Sequence, residues 1–165
     1  MKRVIISSLA VLFLGLIGCE PIPTCDQMLS LKAMDAQGEK EITELKFYAE
    51  GGTQTIYIKT VTPYWRALIK SNIDAGEVDT HPTTGFFPDE YIEIKNIDDW
   101  MTIKYKHAIM NLFNGYIEVT VDEVTPGSLT GGQRDDSIYI WNDDFPKTLL
   151  GVFVNVVQVD EAAPE

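Results

Sequence analysis

Residues 54–60 read Gln54-Thr55-Ile56-Tyr57-Ile58-Lys59-Thr60, a run in which apolar and polar side chains alternate. Alternation with a period of two is typical of a β-strand that buries one face. Residues 45–49 alternate in the same way, and the two runs flank Glu50-Gly51-Gly52-Thr53, whose glycines tolerate a positive φ. The pattern predicts two strands joined as a hairpin.

Short runs of β-branched and aromatic residues continue through the rest of the chain and are separated by turn residues. This composition predicts an all-β fold, an antiparallel β-sandwich of about seven to eight strands over residues 45–160. Further strands are expected at residues 64–69, 91–95, 101–113, 116–121, 137–141 and 149–159.

Two details of strand pairing also follow from the sequence. Asn114-Gly115 is typical of a two-residue type I′ hairpin turn, and this turn would place Met110 opposite Val119. Residues 152–157 are apolar at nearly every position. The last strand is therefore expected to be central and covered on both faces.

The N-terminus carries the pattern of a lipoprotein signal. Lys2 and Arg3 precede an apolar run, and the small Gly18 stands directly before Cys19. The run is shorter than the ~20 residues of a transmembrane helix, and its end resembles a bacterial lipobox. We therefore expect residues 1–18 to be a signal peptide, Cys19 to be lipidated and residues 19–44 to form a tether. That arrangement anchors the protein in the cell envelope, at the outer membrane, with the periplasmic or surface face left open.

The chain is strongly acidic, with a formal net charge of −12 at pH 7, and removal of Lys2 and Arg3 makes it more negative. Nucleic acids and anionic lipid surfaces are disfavoured as partners, because both would be repelled. Membrane attachment is expected through the lipid alone. Cys25 would be left unpaired after lipidation of Cys19, so no intrachain disulfide is expected.

The residue pattern of an enzyme is missing from the sequence. His81 and His107 are its two histidines, and neither lies in a recognisable catalytic motif. No phosphate-binding loop, metal-ligand spacing or cofactor motif occurs, so a non-catalytic protein without cofactor or metal is expected. Acidic pairs such as Asp98-Asp99 and Asp135-Asp136 supply oxygen ligands for calcium, but they lack the ligand spacing of a calcium loop.

Aromatic residues are the strongest candidates for a binding site. If the strand isoleucines face inward, alternation sends their aromatic neighbours to the surface. Flat rings with a polar edge suit stacking on sugars, and nearby acids such as Glu93 and Glu118 can accept hydroxyl hydrogen bonds. The alternative is that these rings only stabilise the sheets through cross-strand pairs. The candidate glycan contacts are Tyr57, Tyr91, Tyr116, Tyr139 and Trp141.

Two phenylalanines mark a different candidate surface. Phe86 and Phe87 lie between Gly85 and Pro88 in a long segment without clear periodicity. Such a loop either presents a partner-binding site or anchors itself over the sheet. Trp65 and Trp100 lie beside apolar strands and are expected in the core.

Several of these motifs resemble the BACON domain, a Bacteroidetes-associated carbohydrate-binding, immunoglobulin-like sandwich. The resemblance rests on the 51–54 turn, Pro63-Tyr64-Trp65, residues 99–103 around Trp100, Gln133-Arg134 before a strand and the closing 156–158 strand. It implies glycan or mucin binding in an envelope lipoprotein, although many such domains are spacers. A structural spacer or a protein-interaction module that binds an envelope protein is the alternative function.

Overall fold

The computed structural model describes residues 30–60, 65–76, 91–105, 114–142 and 151–164. These ranges form nine strands and one short helix, which run along the chain as β1 (Leu31–Met34), β2 (Glu44–Phe47), β3 (Gly52–Thr60), β4 (Trp65–Ile69), α1 (Lys70–Asp74), β5 (Ile92–Lys95), β6 (Met101–Tyr105), β7 (Asn114–Val121), β8 (Gln133–Asn142) and β9 (Gly151–Val159).

The strands form two sheets that pack face to face, so the predicted all-β sandwich is confirmed. One sheet has five strands in the order β1-β3-β7-β6-β5, and the other has four in the order β2-β9-β8-β4. Neighbouring strands are antiparallel, except that β2 runs parallel to β9. No helix in the described residues is long and apolar enough to cross a membrane.

The core lies between the inner faces of the two sheets. Alternation on β3 buries Ile56 and Ile58 completely, and the same rule holds on the other inner strands, as the sequence predicts. Burying one such side chain contributes about 1.5–3 kcal/mol. The fully buried aliphatic side chains on the other strands of the two sheets include Ile103, Ile117, Val119, Ile138, Ile140, Val154 and Val156.

Both predicted core tryptophans are buried, Trp65 at 0% and Trp100 at 5% exposure. Trp65 of β4 packs against Tyr105 of β6, with ring centroids 5.4 Å apart. The Tyr105 hydroxyl donates a hydrogen bond to the carbonyl of Ala67 at 3.1 Å, which joins the two sheets. Gly115 of β7 leaves room for the indole, because a Cβ there would lie 2.6 Å from Trp65 Cζ2.

A buried amide forms a second link between the sheets. Gln158 of β9 is completely buried and donates to the carbonyls of Asp122 and Tyr48 at 2.8 and 3.1 Å. Its oxygen accepts a hydrogen bond from Arg134 Nε at 2.8 Å. The Arg134 guanidinium in turn lies 4.6 Å from the ring centroid of Trp100. Each polar atom of the buried amide is thereby satisfied, as burial requires.

The predicted hairpin of residues 45–49 and 54–60 is wrong. β2 belongs to the four-stranded sheet and β3 to the five-stranded sheet. Gly51 and Gly52 have φ values of 64° and 117°, and the left-handed backbone carries the chain from one sheet to the other. Local alternation is the same in a hairpin and in a crossover, so it could not distinguish them.

The predicted turn at Asn114-Gly115 is also wrong. Both residues lie within β7, opposite Lys59 and Ile58 of β3, and neither has the positive φ that a type I′ turn requires. Val119 consequently faces Ile103 of β6 rather than Met110. A glycine is needed here because of the close approach of Trp65, not because of a turn.

Two further expectations are corrected at the ends of the described chain. The tether predicted for residues 19–44 extends too far, since β1 already pairs with β3 from Leu31 opposite Thr60. β9 is central, as predicted, but it is covered on one face only, with Phe153 and Asn155 exposed. The signal peptide of residues 1–18 and both cysteines, Cys19 and Cys25, lie outside the described residues.

Candidate functional site

The structure places the five candidate glycan contacts on two opposite faces of the sandwich. Tyr57, Tyr91 and Tyr116 lie on the outer face of the five-stranded sheet, where alternation with buried neighbours directs them. Tyr139 and Trp141 lie on the outer face of the four-stranded sheet. A single platform containing all five residues is therefore excluded.

We call Tyr57, Tyr116 and Tyr91 the tyrosine row. Tyr57 of β3 lies directly opposite Tyr116 of β7, because Ile56 and Ile117 pair in register on the inner face. The hydroxyl of Tyr116 lies 2.9 Å from that of Tyr91, just before β5, and either can donate the hydrogen bond. Since neighbouring strands are about 4.8 Å apart, the row crosses much of the sheet.

Both partners of this hydrogen bond are open to solvent, with Tyr91 exposed at 45% and Tyr116 at 36%. The bond to Tyr91 raises the pKa of Tyr116 above 10.0, and partial burial and the nearby Glu118 carboxylate add to the shift. The Tyr116 phenol is therefore neutral at physiological pH. The Tyr116 oxygen retains hydrogen-bonding capacity for a polar ligand.

Tyr57 is more enclosed than its two neighbours. The turn after β1 places Gly38, with a φ of 72°, against one side of the ring, and a Cβ there would lie 3.1 Å from Tyr57 Cδ1. The glycine is required both for the left-handed backbone and for this contact. Access to Tyr57 is consequently from the side of Tyr116.

Charged side chains form the next row on the same face. Lys104 of β6 lies opposite Glu118 of β7 on one side and opposite Glu93 of β5 on the other. Its ammonium also lies 4.9 Å from the ring centroid of Tyr91. The two glutamates are thus close to the tyrosine row, as the sequence predicts.

The outer face of the four-stranded sheet carries a different arrangement, which we call the aromatic stack: Trp141, Tyr139 and Phe153. The Tyr139 ring is 5.3 Å from that of Trp141 at an interplanar angle of 15°, and 4.7 Å from that of Phe153 at 25°. Tyr139 lies opposite Phe153, and Trp141 lies opposite Gly151.

Gly151 determines how these rings stack. A Cβ on Gly151 would lie 2.1 Å from Tyr139 Cε2, so the tyrosine ring leans diagonally over this glycine. Trp141 and Phe153 occupy the other diagonal of the same four residues and therefore contact opposite faces of the Tyr139 ring. Neither face of Tyr139 is left for a sugar.

The prediction of a solvent-facing indole at Trp141 is wrong. The side chain points away from the core, but it is only 5% exposed. Phe153, which is not among the candidates predicted from the sequence, is 51% exposed at the other end of the stack. Its position follows from pairing with Tyr139, and no local pattern in the sequence reveals which residue lies opposite.

The remaining candidates do not form a site in the described part of the chain. No cluster of three potential metal ligands occurs in the described ranges. Asp136 accepts hydrogen bonds from the Ser71 hydroxyl at 2.6 Å and the Ser137 amide at 2.8 Å, which ties β8 to α1. The two histidines and the two phenylalanines of the predicted partner loop lie outside the described residues, namely His81, His107, Phe86 and Phe87.

Two shallow cavities flank Gln54 in the gap between β2 and β3. Their volumes are about 410 and 510 Å³. The Gln54 amide separates them by donating a hydrogen bond to the carbonyl of Lys46 at 2.6 Å. None of the candidate aromatic residues lines either cavity.

None of the known family models matches this chain, and no curated protein matches it. Among solved structures, the chain is similar to one described as "NMR structure of the protein from Bacteroides thetaiotaomicron". The two share 16% sequence identity with a TM-score of 0.41, over 90% of this chain and 100% of that chain. A likeness at this distance carries no argument about function.

Proposed function

We propose that this protein is a non-catalytic lipoprotein of the cell envelope whose BACON-like β-sandwich binds carbohydrate through the tyrosine row. The observation that carries the proposal is the line of Tyr57, Tyr116 and Tyr91 across one open sheet face, with polar groups on both sides. Aromatic rings stack on the C–H faces of sugars, while hydroxyl and carboxylate groups beside them accept or donate hydrogen bonds.

The aromatic stack has a structural role in this proposal. Trp141 and Phe153 cover the two faces of the Tyr139 ring, so neither face can contact a ligand. Of the five aromatic candidates, we therefore retain Tyr57, Tyr91 and Tyr116 as glycan contacts. Tyr139 and Trp141 instead stabilise β8 against β9.

A glycan array and titration calorimetry with the full chain in detergent test the proposal. We expect at least one polysaccharide to bind, and the double variant Tyr91→Ala, Tyr116→Ala to lose that binding while its circular dichroism spectrum is unchanged. Phe153→Ala is the matched control, because it removes an exposed ring from the opposite face. Absence of binding to every glycan, or equal loss in the control, would reject the assignment.

Anchoring is tested separately, since the lipoprotein signal rests on residues 1–19 alone. We propose that Cys19 carries the lipid and that no nucleic acid or metal cofactor is involved. Metabolic labelling with a fatty acid should mark the wild-type chain and not Cys19→Ser, which should leave the membrane fraction. Cys25→Ser is the control and should still be labelled. Labelling of Cys19→Ser would contradict the assignment.

The second candidate function is a spacer or protein-interaction module, and the exposure of Phe153 at the edge of the aromatic stack favours it. An exposed ring beside a stacked pair is a suitable anchor for a protein partner. Cross-linking in envelope preparations should then recover one stoichiometric partner that is lost in Phe153→Asp. Retention of that partner in the variant, or recovery of none, would reject this function.

A further inference from the structure

The outer face of the five-stranded sheet is richer in lysine than the acidic composition of the chain suggests. The whole chain has a formal net charge of −12. On this one face, however, the described strands direct more basic than acidic side chains outward. The basic residues are Lys32, Lys59, Lys95 and Lys104, and the acidic residues are Glu93 and Glu118.

These charges are balanced at one end of the face. Lys104 lies between Glu93 and Glu118, which are its cross-strand neighbours. Lys95 forms an ion pair with Asp99 at 2.8 Å, and the hydrogen bond to Asp99 raises the pKa of Lys95. The β5 end of the sheet therefore offers no uncompensated positive charge.

The β1 end is different, because Lys32 lies directly opposite Lys59 in the antiparallel ladder. Like charges in directly opposed positions destabilise a sheet. Lys32 forms a solvent-exposed ion pair with Glu41 at 3.0 Å, which offsets only part of this repulsion. Lys59 is exposed, and within the described residues it forms no ion pair. It follows Tyr57 by two positions, so both side chains lie on the same face.

We propose that the tyrosine row binds an anionic polysaccharide, with a carboxylate or sulfate group at Lys59 and Lys32 and sugar rings against Tyr57 and Tyr116. This inference deepens the proposed function and rests on it. An acidic group at this place would relieve the repulsion between the two lysines. A sugar ring and the acidic group attached to it can contact Tyr57 and Lys59 together, because side chains two residues apart along a strand lie next to each other on one face.

A polysaccharide fits this face better than an anionic membrane surface does. A membrane meets the whole face at once, including Glu93, Glu118 and the acidic residues of the surrounding protein, and these are repelled. A single chain lying along the tyrosine row meets only the local charges. Lys59 and the exposed phenols can then act on the same ligand.

Two matched pairs of polysaccharides test the inference with the full chain in detergent: dextran sulfate beside dextran, and polygalacturonic acid beside its methyl ester. We expect binding of at least one charged member and about tenfold weaker binding of its neutral partner. Binding should weaken between 0.1 and 1 M salt, as the Debye length falls from about 10 to about 3 Å. Lys59→Glu should reduce affinity about tenfold or more.

Lys46→Glu is the control, since it makes the same charge change at an exposed strand position of the other sheet. It should bind like the wild type. Equal losses in both variants would show a general charge effect and overturn the inference. Equal binding of charged and neutral members would overturn it but leave glycan binding in place. Binding of nothing on these panels or the full array would reject the proposed function itself. Equal, Lys59-dependent binding to vesicles of anionic phospholipid would assign the face to a membrane instead.

Discussion

The two outer faces of the sandwich use aromatic residues in opposite ways. In the aromatic stack, three rings cover one another, and Tyr139 has no free face. In the tyrosine row, Tyr91 and Tyr116 meet through their hydroxyl groups, and both rings are exposed. The same residue type thus stabilises the fold on one sheet and is available to a ligand on the other. What decides between the roles is the cross-strand neighbour and not the residue itself.

We expect the largest effect on the free energy of unfolding when one ring is deleted from each face and the two losses are compared. Tyr139→Ala removes a ring packed between two others and should lower the free energy of unfolding by about 2–3 kcal/mol. Tyr116→Ala removes an exposed ring and should lower it by less than about 1 kcal/mol. Urea unfolding measures both. Equal losses in the two variants would mean that the faces do not differ as described.

Gly151→Ala sharpens the comparison without deleting any ring. The added Cβ occupies the position of the Tyr139 ring, which must move away from Trp141 and Phe153. We expect a loss of about 1–2 kcal/mol in unfolding free energy. In a Tyr139→Ala background the same glycine substitution should cost little, because the clashing ring is absent. Additive effects of the two substitutions in a double-mutant cycle would contradict this account.

The hydrogen bond between Tyr91 and Tyr116 in the tyrosine row should make stability depend on pH. The pKa of Tyr116 is raised above its ordinary value of 10.0, chiefly by the hydrogen bond to Tyr91. The corresponding stability is therefore fully present below pH 10 and is lost as the pH rises through the folded-state pKa. Tyr91→Phe removes the bond and should lower the pKa of Tyr116, measured by tyrosinate absorbance. Tyr139→Phe is the control, and an unchanged titration in Tyr91→Phe would contradict the assignment.

The smallest expected effect concerns Lys32 and Lys59. Lys59→Gln removes a like-charge pair and should raise the free energy of unfolding by about 0.3 kcal/mol at low salt. The gain should vanish at 1 M salt, where the repulsion is screened. Lys46→Gln, on the other sheet, should show no such gain. A loss of stability in Lys59→Gln would indicate that this lysine contributes to the fold.

Sequence patterns were sufficient for the fold class and for the inner face of strands such as β3. Burial of Ile56 and Ile58 follows from alternation, because period two places every second residue on one face. Trp65 and Trp100 followed from their apolar surroundings. These properties depend on a few neighbouring residues, so a single sequence contains them.

The same patterns did not reveal which strands pair or to which sheet each strand belongs. The turn at Gly51-Gly52 permits a hairpin and a crossover alike, and only the packing of Leu45 and Phe47 beneath the other sheet distinguishes them. Gly115 has the sequence of a turn and the structure of a strand, because its role is contact with Trp65. Long-range contacts decide such cases.

The candidate site was likewise predicted only in part. Alternation correctly placed Tyr57 and Tyr116 outward, but it could not assign them and Tyr139 to different sheets. Exposure of Trp141 was wrong for the same reason, since a position that faces away from the core can still be covered by its neighbours. The pairing of Lys32 with Lys59 depends on β1, which lies within the predicted tether.

The buried amide of Gln158 has a consequence for the geometry of the whole sandwich. Two apolar sheet faces in contact can shift by a residue with little change in buried area, because the hydrophobic effect is not directional. Hydrogen bonds from one amide to Asp122 and Tyr48, with Arg134 on its oxygen, are directional and permit one alignment. Gln158 thereby acts as an alignment pin, and it holds the two chemically different outer faces at one fixed angle to each other.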